Sequence, residues 1–323
     1  MAAQRPRIER RAVHGVLLLD KPLGLSSNAA LQVAKRLYRA EKAGHTGTLD
    51  PLATGLLPLC FGAATKFSQV SLDADKGYRA VLRLGITTTT GDAEGEVVER
   101  REAYFRPADV ERACAGLVGE IRQRPPMHSA LKRDGKPLYE YARAGIEVER
   151  EDRAVTIRRI DVVEGAVDTW TIDVACSKGT YVRTLAEDIG KALGCGAHLA
   201  ALRRTACGPL DVGSAHSLES LEALDGPSRD ALLLEPDALL ADWPSVCLDE
   251  EGAGRFLAGL RRRVTLADAP RVRVYGPDLK AFLGAGHIQG GELIPTRLLS
   301  PVEAGDLIGL PRRSSQESTR TTP

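Results

Sequence analysis

Short segments in which apolar and polar residues alternate are the feature that most restricts what this chain of 323 residues can fold into. In residues 78–84 and 170–176 every second side chain is apolar, which is the period of a strand with one buried face. Such strands outnumber the helices, and short turns join many of them. This pattern favours an α+β fold over a doubly wound parallel sheet.

Three segments between the strands carry the signals of amphipathic helices. The first runs over residues 26–38 and begins at serines that suit an N-cap, and the second is opened by Pro107 and closed by Gly119. The third has apolar residues at helical spacing over 182–193 and ends at Gly194. The chain therefore alternates strands with well-marked helices up to about Leu224.

The length of the chain exceeds the size at which one hydrophobic core usually stops growing, about 250–300 residues, so we expect two domains. The large domain is expected over residues 13–240, with a Pro- and Gly-rich insertion at 125–150. A small β-rich domain is expected over 241–311. Residues 1–12 are predicted to be flexible and 312–323 disordered, because their polar composition cannot build a core.

Composition narrows the class of protein. The 44 basic residues are balanced by 43 acidic ones, so a nucleic-acid partner would require basic residues concentrated on one face. The six cysteines show no paired spacing, and no segment suits a membrane span or a secretory signal. We therefore expect a cytoplasmic protein with reduced thiols and no membrane association. Cys195 and His198 have ligand-like spacing, but their Leu- and Ala-rich surroundings favour core packing, and no metal site is predicted.

The loop of residues 44–55 has the most unusual local chemistry. Its three glycines allow tight turns and close approach of a ligand, and Pro51 drives the preceding Asp50 towards an extended conformation. A stiff loop that presents one carboxylate suits a nucleophile or a general base. An ordinary Gly-rich turn ending in Asp-Pro has the same composition, and spacing alone modestly favours that simpler explanation.

Two further segments carry groups that suit an RNA ligand. Residues 177–184 lie at a predicted strand-to-helix junction, where Arg183 can pair with a carboxylate and Tyr181 can stack on a base. Residues 124–143 interleave basic side chains, Lys132 among them, with tyrosines and a histidine, as in a loop that grips a phosphate backbone. A capped helix with an exposed arginine is the more frequent explanation of the first segment. A solvated loop is an equal alternative for the second.

Taken together, these segments resemble the TruB family, the bacterial tRNA pseudouridine-55 synthases. The matching stretches occur in the family order and cover roughly residues 15–221; the loop at 44–55 is highly specific. The stretches are 15–22, 44–55, 62–67, 76–79, 129–132, 177–184, 194–198 and 202–204. The C-terminal part is similar to the small RNA-binding domain of that family.

The resemblance implies a curved, mainly antiparallel mixed sheet with flanking helices, the pseudouridine synthase fold, plus a small β-rich PUA-like C-terminal domain. It implies an isomerase that converts uridine 55 in the T-loop of tRNA to pseudouridine without a cofactor or a guide RNA. The implied partner is tRNA, bound at its T-arm and elbow. We expect a monomer with no obligate protein partner.

The resemblance also assigns the groups beside the reaction. Asp50 matches the catalytic aspartate, Arg183 its partner, and Lys21 with Pro22 a motif next to the site. The reaction flips the uridine out, breaks its C1′–N1 bond, turns the uracil over and joins C5 to C1′. A carboxylate assists either by attacking the ribose or by removing a sugar proton, and the sequence does not decide between them.

Other residues match groups that bind the RNA. His45 matches the residue that enters the T-loop and occupies the space vacated by the flipped base. Tyr78 matches the aromatic that packs against the uracil, and Tyr181 and Leu202 match further walls of the base pocket. Lys132, in the basic segment, is predicted to bind substrate.

Two positions depart from the family pattern, and three alternatives stay open. Thr89 stands where an aspartate is usual in the turn after the strand at 78–84, and His128 stands where many members have tyrosine.

One alternative function is that of a related, guide-dependent synthase that works with partner proteins. Another is a tRNA-folding factor that does not need Asp50. The third is an enzyme unrelated to RNA, which an even spread of basic residues would favour.

Overall fold

The computed structural model describes residues 9–129 and 131–308, so the prediction of a disordered tail at 312–323 lies outside the described residues, as does the prediction for residues 1–12 over its first eight residues. The strands are β1 (Gly15–Lys21), β2 (Ala43–His45), β3 (Ala53–Phe61), β4 (Lys76–Leu84), β5 (Ile86–Thr88), β6 (Val97–Arg100), β7 (Gly119–Gln123), β8 (Lys132–Arg133), β9 (Lys136–Pro137), β10 (Arg153–Ala166), β11 (Thr169–Cys176), β12 (Ala197–Cys207), β13 (Leu210–Asp211), β14 (Ser245–Cys247), β15 (Arg262–Arg263), β16 (Ala269–Tyr275), β17 (Phe282–Gln289) and β18 (Glu292–Leu298). The α-helices are α1 (Ser27–Leu37), α2 (Ser68–Asp73), α3 (Pro107–Ala115), α4 (Leu138–Arg143), α5 (Val182–Ala192), α6 (Leu218–Ala223), α7 (Gly226–Asp230), α8 (Glu250–Leu257) and α9 (Pro301–Ile308). Short 3-10 turns occur at Gly62–Lys66, Val212–Ser214, Pro236–Leu240 and Pro277–Leu279.

The main sheet has nine strands, and seven of them follow the order β1-β3-β12-β4-β11-β10-β7. Strand β2 pairs with β3 and β13 pairs with β12. The pairing of β12 with β3 is parallel and places Leu202 opposite Ala53, whereas the other pairings in this sheet are antiparallel. A mainly antiparallel, mixed sheet with flanking helices confirms the predicted fold class.

The helices follow the sequence signals, with one correction. Helix α1 is capped by Ser26, whose hydroxyl accepts a hydrogen bond from the Ala29 N–H at 3.1 Å, and α5 ends one residue before its Leu193 cap. The predicted closure of the second helix at Gly119 was wrong. Helix α3 ends at Ala115 with Gly116 as its cap, and Gly119, at a φ of 111°, is instead the first residue of β7.

Residues 245–298 form a second sheet of five strands in the order β14-β16-β17-β18-β15, which confirms the β-rich character predicted for this part of the chain. Helices α8 and α9 were not predicted there. One hydrophobic cluster joins this sheet to the main one, and within it the rings of Phe67 and Phe282 lie 5.2 Å apart. None of the helices in the described ranges is long and apolar enough to cross a membrane.

Candidate active site

A cleft of about 280 Å³ opens beside the loop of residues 44–55. It is lined by Asp50 from that loop, Tyr78 from β4, Tyr181 and Arg183 from the start of α5, and Leu202 from β12. These residues lie far apart in the chain, and the central position of β4 and β12 in the sheet brings them together. Five of the eight predicted site residues therefore line one cleft.

The carboxylate of Asp50 is held by Arg183. Its Oδ2 atom lies 3.0 Å from Nη2 of Arg183, whose side chain is 9% exposed while that of Asp50 is 46% exposed. The same Nη2 atom donates to the carbonyl of His128 at 2.7 Å. The guanidinium is thus anchored inside the protein and fixes the direction of a carboxylate that opens onto the cleft.

Asp92 holds Arg183 from the opposite side and was not singled out from the sequence. Its Oδ2 atom lies 3.4 Å from Nη1 of Arg183, and its side chain is 4% exposed. The Thr90 hydroxyl donates to Asp92 Oδ1 at 2.6 Å, and the Glu94 N–H donates to the same atom at 3.1 Å. An aspartate is usual in the family at the position of Thr89. In this chain Asp92, three residues later in the same Thr-rich turn, supplies the acidic group.

The loop that carries Asp50 is tied to two neighbouring elements. Ser27 of α1 accepts a hydrogen bond from the Leu49 N–H at 2.7 Å and donates to the Leu49 carbonyl at 3.1 Å. At Gly55, where φ is 97°, a β-carbon would collide with the carbonyl oxygen of Arg204 on the adjacent strand. Gly44, by contrast, has no positive φ and no close neighbour, so its place in strand β2 does not require glycine.

The start of α5 is held by a buried amide. Gln123, at the end of β7, is 2% exposed; its Oε1 accepts from the Tyr181 N–H at 3.0 Å and its Nε2 donates to the Tyr181 carbonyl at 3.4 Å. Tyr181 is the N-cap residue of α5 and has no side-chain cap of its own. Gln123 therefore determines where Tyr181, and Arg183 two residues later, enter the cleft. Nothing local in the sequence indicated this contact.

Buried cations surround the cleft. The side chain of Lys76 donates to three carbonyl oxygens at 2.6–3.0 Å, and that of Arg204 donates to the Leu56 carbonyl at 2.7 Å. Lys21 is fully buried and donates to two carbonyls, those of Pro22 at 2.9 Å and Leu25 at 2.6 Å. Because carbonyl groups carry no net charge, these hydrogen bonds leave the positive charge of the three side chains unneutralised.

Burial alters the ionisation of several groups near the cleft. It lowers the pKa of Lys21 to about 8, against the opposing effect of the Asp50 charge, and it also lowers the pKa of Lys76. Burial raises the pKa of Tyr78 to about 12, so its phenol is neutral. Burial, helped by the charge of Arg204, lowers the pKa of His45, so its ring is neutral too.

Three predicted residues do not line the cleft. His45 ends β2, and its Nδ1 atom is buried without a hydrogen bond among the described residues. Lys21 acts on Asp50 through its charge and is not accessible to a ligand. Lys132 is exposed on β8, in a segment where Arg124 pairs with Asp152 at 3.0 Å.

Basic residues on the outer face of the main sheet differ from those at the cleft. There, arginines are paired with carboxylates across neighbouring strands. The pairs are Arg79–Asp173, Arg83–Asp168 and Arg203–Asp20. At the cleft, by contrast, Lys76 and Arg204 donate to main-chain carbonyl oxygens, which carry no net charge. Cys195 and His198 are buried, and the His198 ring contacts the Ile86 carbonyl at 2.9 Å, in agreement with core packing.

Comparison with known proteins places the chain in a family. Residues 35–182 match the TruB family pseudouridylate synthase N-terminal domain, 183–240 the tRNA pseudouridylate synthase B C-terminal domain, and 244–299 the pseudouridine synthase II TruB C-terminal domain. The chain is 60% identical over 302 residues to tRNA pseudouridine synthase B of Burkholderia mallei (strain ATCC 23344), covering 91% of this chain and 97% of that protein. It is 59% identical over 312 residues to the protein of the same name from Ralstonia nicotianae, covering 93% and 99% respectively.

Solved structures agree at the level of the fold. A chain of an H/ACA RNP bound to a substrate RNA containing 2′-deoxyuridine aligns with a TM-score of 0.67 at 22% identity, over 89% of this chain and 86% of that one. A chain of a Cbf5-Nop10-Gar1 complex aligns with a TM-score of 0.67 at 24% identity, over 96% and 85%. The sequence relatives cover almost the whole chain at about 60% identity, and on that ground the chain belongs to the TruB family of pseudouridylate synthases.

Proposed function

We propose that this chain isomerises uridine 55 in the T-loop of tRNA to pseudouridine, with Asp50 as the essential carboxylate and without a guide RNA. The observation that carries the proposal is the half-exposed Asp50 carboxylate, fixed by the buried Arg183 in the cleft between Tyr78 and Leu202. The relatives that share about 60% of its residues are named as synthases acting on tRNA, which supports tRNA as the substrate.

The walls of the cleft suit a flipped uridine. Extruding a base from a folded loop costs a few kcal/mol, and stacking on an aromatic ring returns about 1–3 kcal/mol per base. The neutral ring of Tyr78 offers such a surface, and Leu202 opposite the catalytic loop adds an apolar wall. The neutral imidazole of His45 can occupy the space left in the T-loop without introducing a charge among the bases.

Asp50 then assists the exchange of one glycosidic bond for another. The bond between C1′ and N1 breaks, the uracil rotates, C5 bonds to C1′, C5 loses its proton and N1 gains one, so the product is an isomer. Asp50 either attacks C1′ and is later displaced, or removes a sugar proton and later returns it. Both routes need a fixed carboxylate, and Arg183 with Asp92 behind it supplies that rigidity.

The test is conversion of an unmodified tRNA transcript in a reaction that contains only this protein and the tRNA. Wild type is expected to form pseudouridine at position 55 alone, and Asp50→Asn to form none while binding the tRNA with similar affinity. Asp161→Asn, which removes an exposed carboxylate from β10, is the matched control and should behave as wild type. A folded wild type that binds tRNA but converts no uridine would contradict the proposal and favour a tRNA-folding factor.

A further inference from the structure

A buried hydroxyl at the cleft has no hydrogen-bond partner in the part of the chain that the structure describes. Ser129 is 5% exposed, and its Oγ atom bonds to no other group among the described residues. The residue lines the same cleft as Asp50. Since buried hydroxyl groups are normally paired, an unpaired one that faces a ligand cleft indicates a partner supplied by the ligand.

The main chain on both sides of this hydroxyl is fixed. The carbonyl of His128 accepts from Nη2 of Arg183 at 2.7 Å, and the carbonyl of Ser129 accepts from the Tyr139 N–H at 3.1 Å. The backbone therefore cannot shift towards another partner without breaking one of these bonds. The hydroxyl is held in place before the ligand arrives, as a preorganised binding group should be.

The position of Ser129 indicates which part of the substrate it meets. The Nη2 atom of Arg183 that binds the His128 carbonyl also binds Asp50 Oδ2 at 3.0 Å, so Ser129 directly follows the contact that holds the carboxylate. Under the proposed function Asp50 acts on the ribose, which places Ser129 at the sugar end of the nucleotide. The polar atoms at that end are hydroxyl and phosphate oxygens.

We infer that the Ser129 hydroxyl hydrogen-bonds an oxygen of the sugar–phosphate backbone of the flipped uridine, either the ribose 2′-hydroxyl or the adjoining phosphate. The inference rests on the proposed function. A serine hydroxyl can donate to either group, and its burial beside Arg183 excludes competing water. Ser129 is thus a substrate-binding residue that helps to align the ribose with Asp50.

The first test compares Ser129→Ala with wild type in stability and in turnover. Ser129→Ala is expected to lower kcat/KM about 3- to 10-fold, the range for one lost hydrogen bond. Its midpoint of thermal unfolding should be equal or higher, because none of the described residues bonds to the hydroxyl in the free protein. Ser217→Ala, which removes the cap of α6 away from the cleft, should do the reverse: a lower midpoint and an unchanged kcat/KM.

The second test identifies the oxygen by measuring Kd for tRNA with uridine or 2′-deoxyuridine at position 55. If the affinity difference between wild type and Ser129→Ala vanishes with the deoxy substrate, the partner is the 2′-hydroxyl; if it persists, the partner is the phosphate. Equal Kd and kcat/KM in the two proteins, or a lowered unfolding midpoint in Ser129→Ala, would overturn the inference. Failure of the proposed function would appear differently, as a wild type that converts no uridine, and the Kd comparison would still decide the role of Ser129.

Discussion

Lys21 shows what a single buried residue contributes to the electrostatics of the site. Its ammonium group is fully buried and contacts carbonyl oxygens, while the nearby Asp50 charge acts on it from a distance. Burial dominates, and the pKa falls from 10.5 to about 8. The protein therefore keeps a cation beside the cleft at neutral pH at the expense of stability.

This lowered pKa predicts a pH dependence of stability. Between about pH 8 and 10.5 the unfolded chain binds more protons at Lys21 than the folded protein, so the contribution of Lys21 to the free energy of unfolding rises with pH across that window. Relative to Lys21→Met, wild type should gain up to about 1.4 kcal/mol per pH unit there. Urea unfolding of both proteins at several pH values measures the difference.

The control for this prediction is Lys191→Met, which removes an exposed lysine from α5. Its difference from wild type should hardly change over the same pH range, because this side chain is exposed to solvent and loses little hydration on folding. A difference between wild type and Lys21→Met that stays constant with pH would show that burial does not perturb Lys21.

At the scale of secondary structure, side chains of one element position the cleft by hydrogen-bonding to the main chain of another segment. Ser27 of α1 holds Leu49, the residue before Asp50, and Gln123 of β7 holds Tyr181. Each makes two hydrogen bonds to one peptide segment, so the segment is fixed in both position and direction. The rigidity of the cleft therefore comes in part from two side chains that do not line it.

Substituting Ser26, the N-cap of α1, and Ser27, its first residue, distinguishes the positioning of the Asp50 loop from ordinary helix capping. Ser26→Ala removes the N-cap and Ser27→Ala removes the bonds to Leu49, and each should lower the free energy of unfolding by about 1 kcal/mol. Only Ser27→Ala is expected to lower kcat for pseudouridine formation, by about 10-fold or more, because small displacements of a reacting group are costly. Equal kcat values in the two variants would contradict a positioning role for Ser27.

At the scale of the whole molecule, the two sheets share one hydrophobic cluster. Side chains from the main sheet, such as Leu18 and Leu56, belong to the same cluster as Phe256 and Leu293 of the C-terminal part. Lys66 adds a polar connection, since it lies 2.6 Å from Glu303 of α9. The C-terminal sheet is therefore packed as part of one structure and is not free to move independently.

The shared cluster predicts cooperative unfolding. Phe67→Ala should lower the free energy of unfolding by about 3–5 kcal/mol and destabilise both parts together. The chain has two tryptophans, Trp170 in β11 and Trp243 beside the C-terminal sheet, so Trp170→Phe and Trp243→Phe each leave one fluorescent reporter. Both reporters should follow one transition in wild type and in the Phe67→Ala background. Separate midpoints for the two reporters would contradict a shared core.

The sequence by itself determined the alternating strands at 78–84 and 170–176, the main helices and the loop that carries Asp50, because alternation, helical spacing, caps and turn residues are local signals. Resemblance to a family then indicated which residues to expect near Asp50. The end of α3 escaped prediction because the apolar spacing continues through Leu117 and Val118, whereas the helix ends at Ala115 and its cap is Gly116.

Only the tertiary structure decided which groups hold the site and how the two sheets combine. Ser27 bonds to a residue 22 positions away, Gln123 to one 58 positions away, and the His128 carbonyl to an arginine 55 positions away. Asp92 and the segment at Ser129 likewise owe part of their surroundings to Arg183 on the distant helix α5. A contact between segments that meet only after the sheet has formed leaves no periodicity or spacing in the sequence. Its energy depends on burial and direction, which the folded chain alone defines.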